Sequence, residues 1–97
     1  MTVISILTLQ VPPDRRDEVV DYYSSARILE SSGATSARLA LAVEDPGRII
    51  VIGEWPDVSA YDTWLAAAER LTFAEGVARA AGGDVTATNE VFTVRTS

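Results

Sequence analysis

The side chains of this sequence with the strongest claim to chemistry are aromatic. Its two tryptophans, Trp55 and Trp64, fall within one short stretch from Glu54 to Leu65. Tyr61 lies between them, Tyr22 and Tyr23 are adjacent, and Phe73 follows. Ring faces of this kind can stack a planar aromatic ligand, an interaction worth about 0.5–1.5 kcal/mol beyond the area buried. A phenol adds a hydrogen bond at the ligand's rim. Two further residues stand out against apolar or Thr/Val-rich surroundings. Arg38, in Ala37-Arg38-Leu39-Ala40-Leu41, can hold a phenolate or carboxylate through two hydrogen bonds; its structural alternative is to snorkel from a strand end or pair with a carboxylate. Asn89, beside Glu90, interrupts the last apolar run. The candidate ligand-binding set is therefore Tyr22, Tyr23, Arg38, Tyr61, Trp64, Phe73 and Asn89, and plain packing is the alternative role of each aromatic.

What is missing narrows the chemistry. The chain has no cysteine and no histidine. That removes thiolate catalysis, disulfides and thiolate metal sites, along with the usual neutral-pH general base and the commonest metal ligand. The carboxylates show no EF-hand or paired-carboxylate spacing, so no metal and no cofactor is expected. With 14 acidic against 8 basic residues the net charge is −6, and Arg15, Arg16, Arg27 and Arg38 are spread apart. Phosphate-backbone binding needs a basic face, so neither nucleic acid nor an anionic membrane is an expected partner. The opening MTVISILTLQV lacks a basic leader and breaks at Pro12-Pro13; it is too short for a membrane span and reads as a strand. A cytoplasmic location is the expectation.

The elements that must position these residues follow from periodicity. Val3–Val11 is a strand apolar on both faces. Asp14 is placed to cap a helix over 14–31, with Val19, Tyr22, Tyr23, Ala26 and Leu29 at helical spacing and Gly33 as its stop. Strands at 36–44 and 48–55 flank Asp45-Pro46-Gly47, whose Pro and Gly suit a type II turn and make the pair an antiparallel hairpin. Pro56-Asp57 opens a second helix, capped by Asp57 or Ser59. Thr72 and Glu75 fit a capping box for a short separate helix over 73–81. A strand at 85–95 ends the order strand–helix–strand–strand–helix–helix–strand. This is the ferredoxin-like split βαβ arrangement: an α+β domain over 1–97, with a four-stranded antiparallel sheet and helices on one face.

Such a sheet should alternate apolar with polar, and these strands do not. Ile49 and Val51 oppose Ile50 and Ile52, and Leu7 and Leu9 oppose Ile4 and Ile6. Leaving Ile4, Ile6, Ile50 and Ile52 in water costs about 1.5–3 kcal/mol each, against a total stability of about 5–15 kcal/mol for a domain. Face-to-face packing of two identical sheets, a two-fold homodimer, removes that exposure. Glu54 points away from Trp55 into that layer, so it needs a partner: Arg48, Arg38 or a residue of the second copy.

Across Glu54-Trp55-Pro56-Asp57-Val58-Ser59-Ala60-Tyr61-Asp62-Thr63-Trp64-Leu65 the sequence resembles the antibiotic-biosynthesis-monooxygenase-like family of dimeric α+β barrels. The shared features are a strand ending in Glu-Trp and a helix opening with Ala and an aromatic residue; the topology extends the likeness to nearly the whole chain. The resemblance implies a pocket between sheet and helices. Characterised members oxidise phenolic polyketides to quinones without metal or flavin, and others degrade haem. The family's strand-end tryptophan matches Trp55, which is the candidate catalytic residue. Where many members carry a histidine on the next helix, this chain has Trp64. The haem-degrading branch uses an asparagine in its first strand, and Val3–Val11 contains none. Both departures speak against haem degradation.

Three functions follow. The first is a cofactor-independent monooxygenase acting on a small aromatic or polyketide-type substrate. The second is a non-redox cyclase or isomerase on the same scaffold. The third is a ligand-binding dimeric module without chemistry.

Overall fold

The computed structural model of the chain describes residues 1–95 of 97. Strands β1 (Val3–Gln10), β2 (Ser36–Leu41), β3 (Arg48–Trp55) and β4 (Thr86–Thr93) form one sheet in the order β2-β3-β1-β4. Each neighbouring pair is antiparallel. Helices α1 (Arg16–Ser25), α2 (Ile28–Ser31), α3 (Val58–Ala66) and α4 (Ala68–Ala80) fill the two crossovers. This is the ferredoxin-like α+β fold that the strand and helix order predicts.

Register sorts the strand residues between two faces. Val3, Ser5, Leu7 and Leu9 of β1 stand opposite Trp55, Gly53, Val51 and Ile49 of β3. Val3, Leu9, Ile49 and Trp55 are all buried, which marks this as the helix-covered face. Ile4, Ile6, Ile50 and Ile52 share the other face with Phe92, which pairs with Ile4 and stays 46% exposed. One row runs Arg38–Ile52–Ile6–Glu90, apolar at its centre and charged at its ends. Glu54 lies on this outer face, as expected, but its contact within the chain is the Ser36 hydroxyl at 3.5 Å. Arg48, one expected partner, instead pairs with Asp45 at 3.5 Å.

Four local expectations need correction. The helix expected over 14–31 is broken at Arg27, whose φ of 56° is left-handed. That costs a non-glycine residue about 1–2 kcal/mol, and it swings Ile28 and Leu29 back toward the sheet. Asp14 lies in a 3-10 turn, Pro13–Arg15, and caps nothing through its side chain. The helix expected to start behind Thr72 starts at Ala68, one extended residue after α3, so Thr72 is already inside it and cannot cap. The hairpin closes through a hydrogen bond from the Arg48 N–H to the Asp45 carbonyl, 3.2 Å. Gly47 is not among the glycines with positive φ, so the turn is not type II. Glycine is needed there for room: a Cβ on Gly47 would stand 2.3 Å from the Val11 carbonyl oxygen. Elsewhere the local signals hold. Asp57 caps α3 by accepting from the Ala60 N–H at 2.9 Å, and Gly33 takes φ +80° beyond the helix end.

Candidate functional site

Two buried clusters divide the space between sheet and helices. One gathers Leu9, Val19, Tyr23, Ile28, Ile49 and Val77; the other is Val3, Trp55 and Tyr61. Trp64 packs against both. Between them lies a cavity of about 250 Å³, just below the roughly 300–1,000 Å³ of drug-sized ligand sites. Its walls are the inner faces of the strands and residues of all four helices.

Of the eight residues singled out from sequence, six line this cavity: Tyr23, Trp55, Tyr61, Trp64, Phe73 and Asn89. Trp55 meets Tyr61 edge-on, with ring centroids 5.4 Å apart and planes at 65°. Trp64 and Phe73 lie 6.2 Å apart in a tilted pair. The other two residues stand elsewhere. Arg38 pairs in register with Ile52 and is exposed on the outer face, across the sheet from the cavity. Tyr22, one position from Tyr23, points along α1 to α4, where its ring occupies the space a Cβ on Gly76 would need. The 100° step of a helix separates the two tyrosines into a packing residue and a cavity residue.

The polar groups of the cavity form short relays. The indole N–H of Trp55 donates to the Ser5 hydroxyl at 3.0 Å, and Trp55 is only 2% exposed. The side-chain amide of Asn89 donates to the Tyr61 hydroxyl. Each hydroxyl thereby has an acceptor lone pair engaged and keeps its own proton to give. Burial raises the Tyr23 phenol from 10.0 to about 12, opposed in part by the nearby Arg70 cation. Tyr23 is therefore a neutral hydrogen-bond donor at physiological pH and not a ready base.

Sequence reasoning missed polar residues of the cavity wall, Ser5 and Ser32 among them, and above all Arg70. It is the one charged side chain among the described cavity residues. A charge ahead of the helix expected over 73–81 reads as solvated. The available signal was its place three positions before Phe73, which puts the two on one face once a single helix carries both.

Tyr23 carries a checkable consequence. Its folded-state proton is held more tightly than in the unfolded chain, so the contribution is whole below pH 10.0 and is lost as pH rises toward about 12. Tyr23→Phe is expected to abolish that alkaline loss while leaving the neutral-pH urea midpoint little changed. Identical alkaline profiles for both proteins would place the phenol in water.

A four-stranded antiparallel sheet with helices on one face, closing over a one-sided cavity, defines the class: a ferredoxin-like α+β fold with an aromatic-lined cavity. The sequence model described as antibiotic biosynthesis monooxygenase matches residues 2–76, and the chain belongs to that family. The structure is similar to SnoaB, described as a cofactor-independent oxygenase from Streptomyces nogalater: TM-score 0.75, 19% identity, 99% of this chain and 95% of that one covered. It is also similar to Rv0793 from Mycobacterium tuberculosis, at TM-score 0.64, 17% identity and full coverage of both chains (100% each). A conserved protein from Methanosarcina mazei Go1 matches at TM-score 0.72 and 14% identity, over 93% of this chain and 91% of that one. Likeness at these identities establishes the fold. No curated protein matches the sequence. Among the described residues no helix is long and apolar enough to cross a membrane, and no cluster of three or more acidic, histidine or cysteine side chains is set to hold a metal ion.

Proposed function

We propose that the protein is a cofactor-independent monooxygenase that oxidises a small electron-rich aromatic held in this cavity as its anion. The observation that carries the reading is the character of the lining. Its walls are apolar and aromatic, its one charged side chain is the Arg70 cation, and no carboxylate lines it among the described residues. Such a site stabilises a phenolate or enolate and keeps water from it. An aromatic anion can itself pass an electron to dioxygen. For a ring methylene flanked by activating groups, carbon–oxygen bond formation gives a hydroperoxide; loss of water from it leaves a carbonyl. One oxygen atom of dioxygen ends in product and the other in water. The similarity to SnoaB supports this assignment.

The same reading has the chain act as a homodimer, with Ile4, Ile6, Ile50, Ile52 and Phe92 facing their counterparts on a second copy. Oxygen uptake with a panel of anthrone- and hydroquinone-type compounds, in chelator-treated buffer, tests the activity. Uptake well above the buffer rate is expected, with an anthrone-type compound giving a product heavier by one oxygen and lighter by two hydrogens. Uptake at the background rate across the panel overturns it. A product that has lost only water, with no oxygen consumed, assigns the scaffold to cyclisation instead.

A further inference from the structure

We propose that Ser5 is a substrate-binding residue: its hydroxyl, held at one lone pair by the Trp55 indole N–H, donates to an anionic oxygen of the aromatic ligand. The inference rests on the cavity being an aromatic-anion site, and it adds a residue to that site on separate grounds. Aromatic residues aside, Ser5 is the one buried polar side chain among the described residues, 8% exposed, and it lines the cavity. A polar group at such a position costs free energy unless it is hydrogen-bonded. Trp55 supplies the donor at 3.0 Å. The Ser5 hydroxyl donates to no acceptor among the described residues, so its proton is free for the cavity.

The surroundings preserve this arrangement. Gly53 is the register partner of Ser5 on β3. A Cβ there would stand 2.9 Å from the Trp55 Nε1 and 3.0 Å from the Ser5 Oγ, inside the relay itself. Glycine at that point leaves the indole and the hydroxyl in contact and the cavity wall open beside them. The direction of the hydrogen bond matters most. An indole N–H can only donate, so it fixes the hydroxyl as acceptor on one side and donor on the other. A hydroxyl oriented in this way before the ligand arrives needs no rearrangement to meet an oxyanion.

The probe is 4-nitrophenol, a flat phenol whose neutral and ionised forms differ in colour, titrated bound and free. With the wild-type protein the bound probe is expected to ionise at a lower pH than the free one. A hydrogen bond to a charged acceptor is among the stronger ones. Ser5→Ala is accordingly expected to weaken phenolate binding about tenfold and raise the bound probe's titration midpoint by about one pH unit. Ser5→Thr, which keeps the hydroxyl, should restore most of both. Trp55→Phe keeps Ser5 and removes the group that orients it, so it should move the midpoint the same way by less. Trp55→Phe stands in if Ser5→Ala fails to fold. A wild-type protein that binds the probe and lowers its midpoint, matched by Ser5→Ala and Trp55→Phe, overturns the role of Ser5 and leaves the anion site standing. A wild-type protein that leaves the midpoint unmoved overturns the anion site, and this inference falls with it.

Discussion

Ile52→Lys is expected to convert a dimer into a folded monomer. Ile52 sits opposite Ile6 at the centre of the outer face, on the row that runs from Arg38 to Glu90. In a two-fold assembly one substitution removes two isoleucines, one from each copy. Ile52 is already half-buried in the single chain, so two full burials at about 1.5–3 kcal/mol each set a ceiling of about 3–6 kcal/mol on the loss, or roughly two to four orders of magnitude in dissociation constant. A lysine can extend its ammonium to the solvent from a free monomer's surface but not from the middle of a sheet-to-sheet layer. Sedimentation velocity over a dilution series reads the result, and near-UV circular dichroism checks that the monomer is folded. Ile52→Val, which keeps the face apolar, should remain dimeric. A wild-type chain that is monomeric at every concentration would remove the assembly from the proposed function.

The second large effect belongs to Trp55. The indole is 2% exposed, packs edge-on against Tyr61 and gives its only N–H to Ser5. Trp55→Ala is expected to cost about 3–5 kcal/mol, a large fraction of the roughly 5–15 kcal/mol that a domain commands. For a chain of this length each kcal/mol is worth about 4–8 °C of thermal midpoint, so a fall of more than about 12 °C should follow. Trp55→Phe keeps a ring in the cluster and loses the donor, and its midpoint should stay much nearer to that of the wild type. A loss of oxidation with Trp55→Phe as complete as with Trp55→Ala would assign the indole a direct part in the reaction. A modest loss, matched to the Ser5 variants, makes it a positioning residue. Thermal stability unchanged in Trp55→Ala would place the ring outside the core and contradict the packing described above.

The two faces of the strands were legible because periodicity of two needs no tertiary information. Ile4, Ile6, Ile50 and Ile52 fall on one side by that period alone. Trp55, Trp64 and Tyr61 were legible for a related reason: three large rings within one strand-to-helix junction have to share the same small volume. Arg38 was misplaced because its face depends on hairpin register, and register depends on the turn. A turn closed by Asp45 and Arg48 pairs Arg38 with Ile52 and so excludes it from the side that holds Trp55. The kink at Arg27 left no mark, since arginine has no preference for left-handed backbone and the packing of Ile28 imposes it. Thr72 carried a true capping pattern that chain continuity overrode, because α4 follows α3 after a single residue. Arg70 escaped because a cation on a helix points to water by default, and only the fold shows that this one turns inward.

The alternation along β1 also bears on how such a protein can diverge. Ser5 and Leu7 line the cavity, while Ile4 and Ile6, their immediate neighbours, face the opposite side. A point mutation at an odd-numbered position alters what the cavity accepts and leaves the outer surface as it was; one at an even-numbered position does the reverse. Selection can therefore retune ligand preference and self-association as nearly independent traits, although a single eight-residue strand encodes both. An insertion or deletion of one residue within β1 has no such freedom. It exchanges the two sets at once, so lineages descended from this chain should vary freely in residue type along β1 and keep its length fixed.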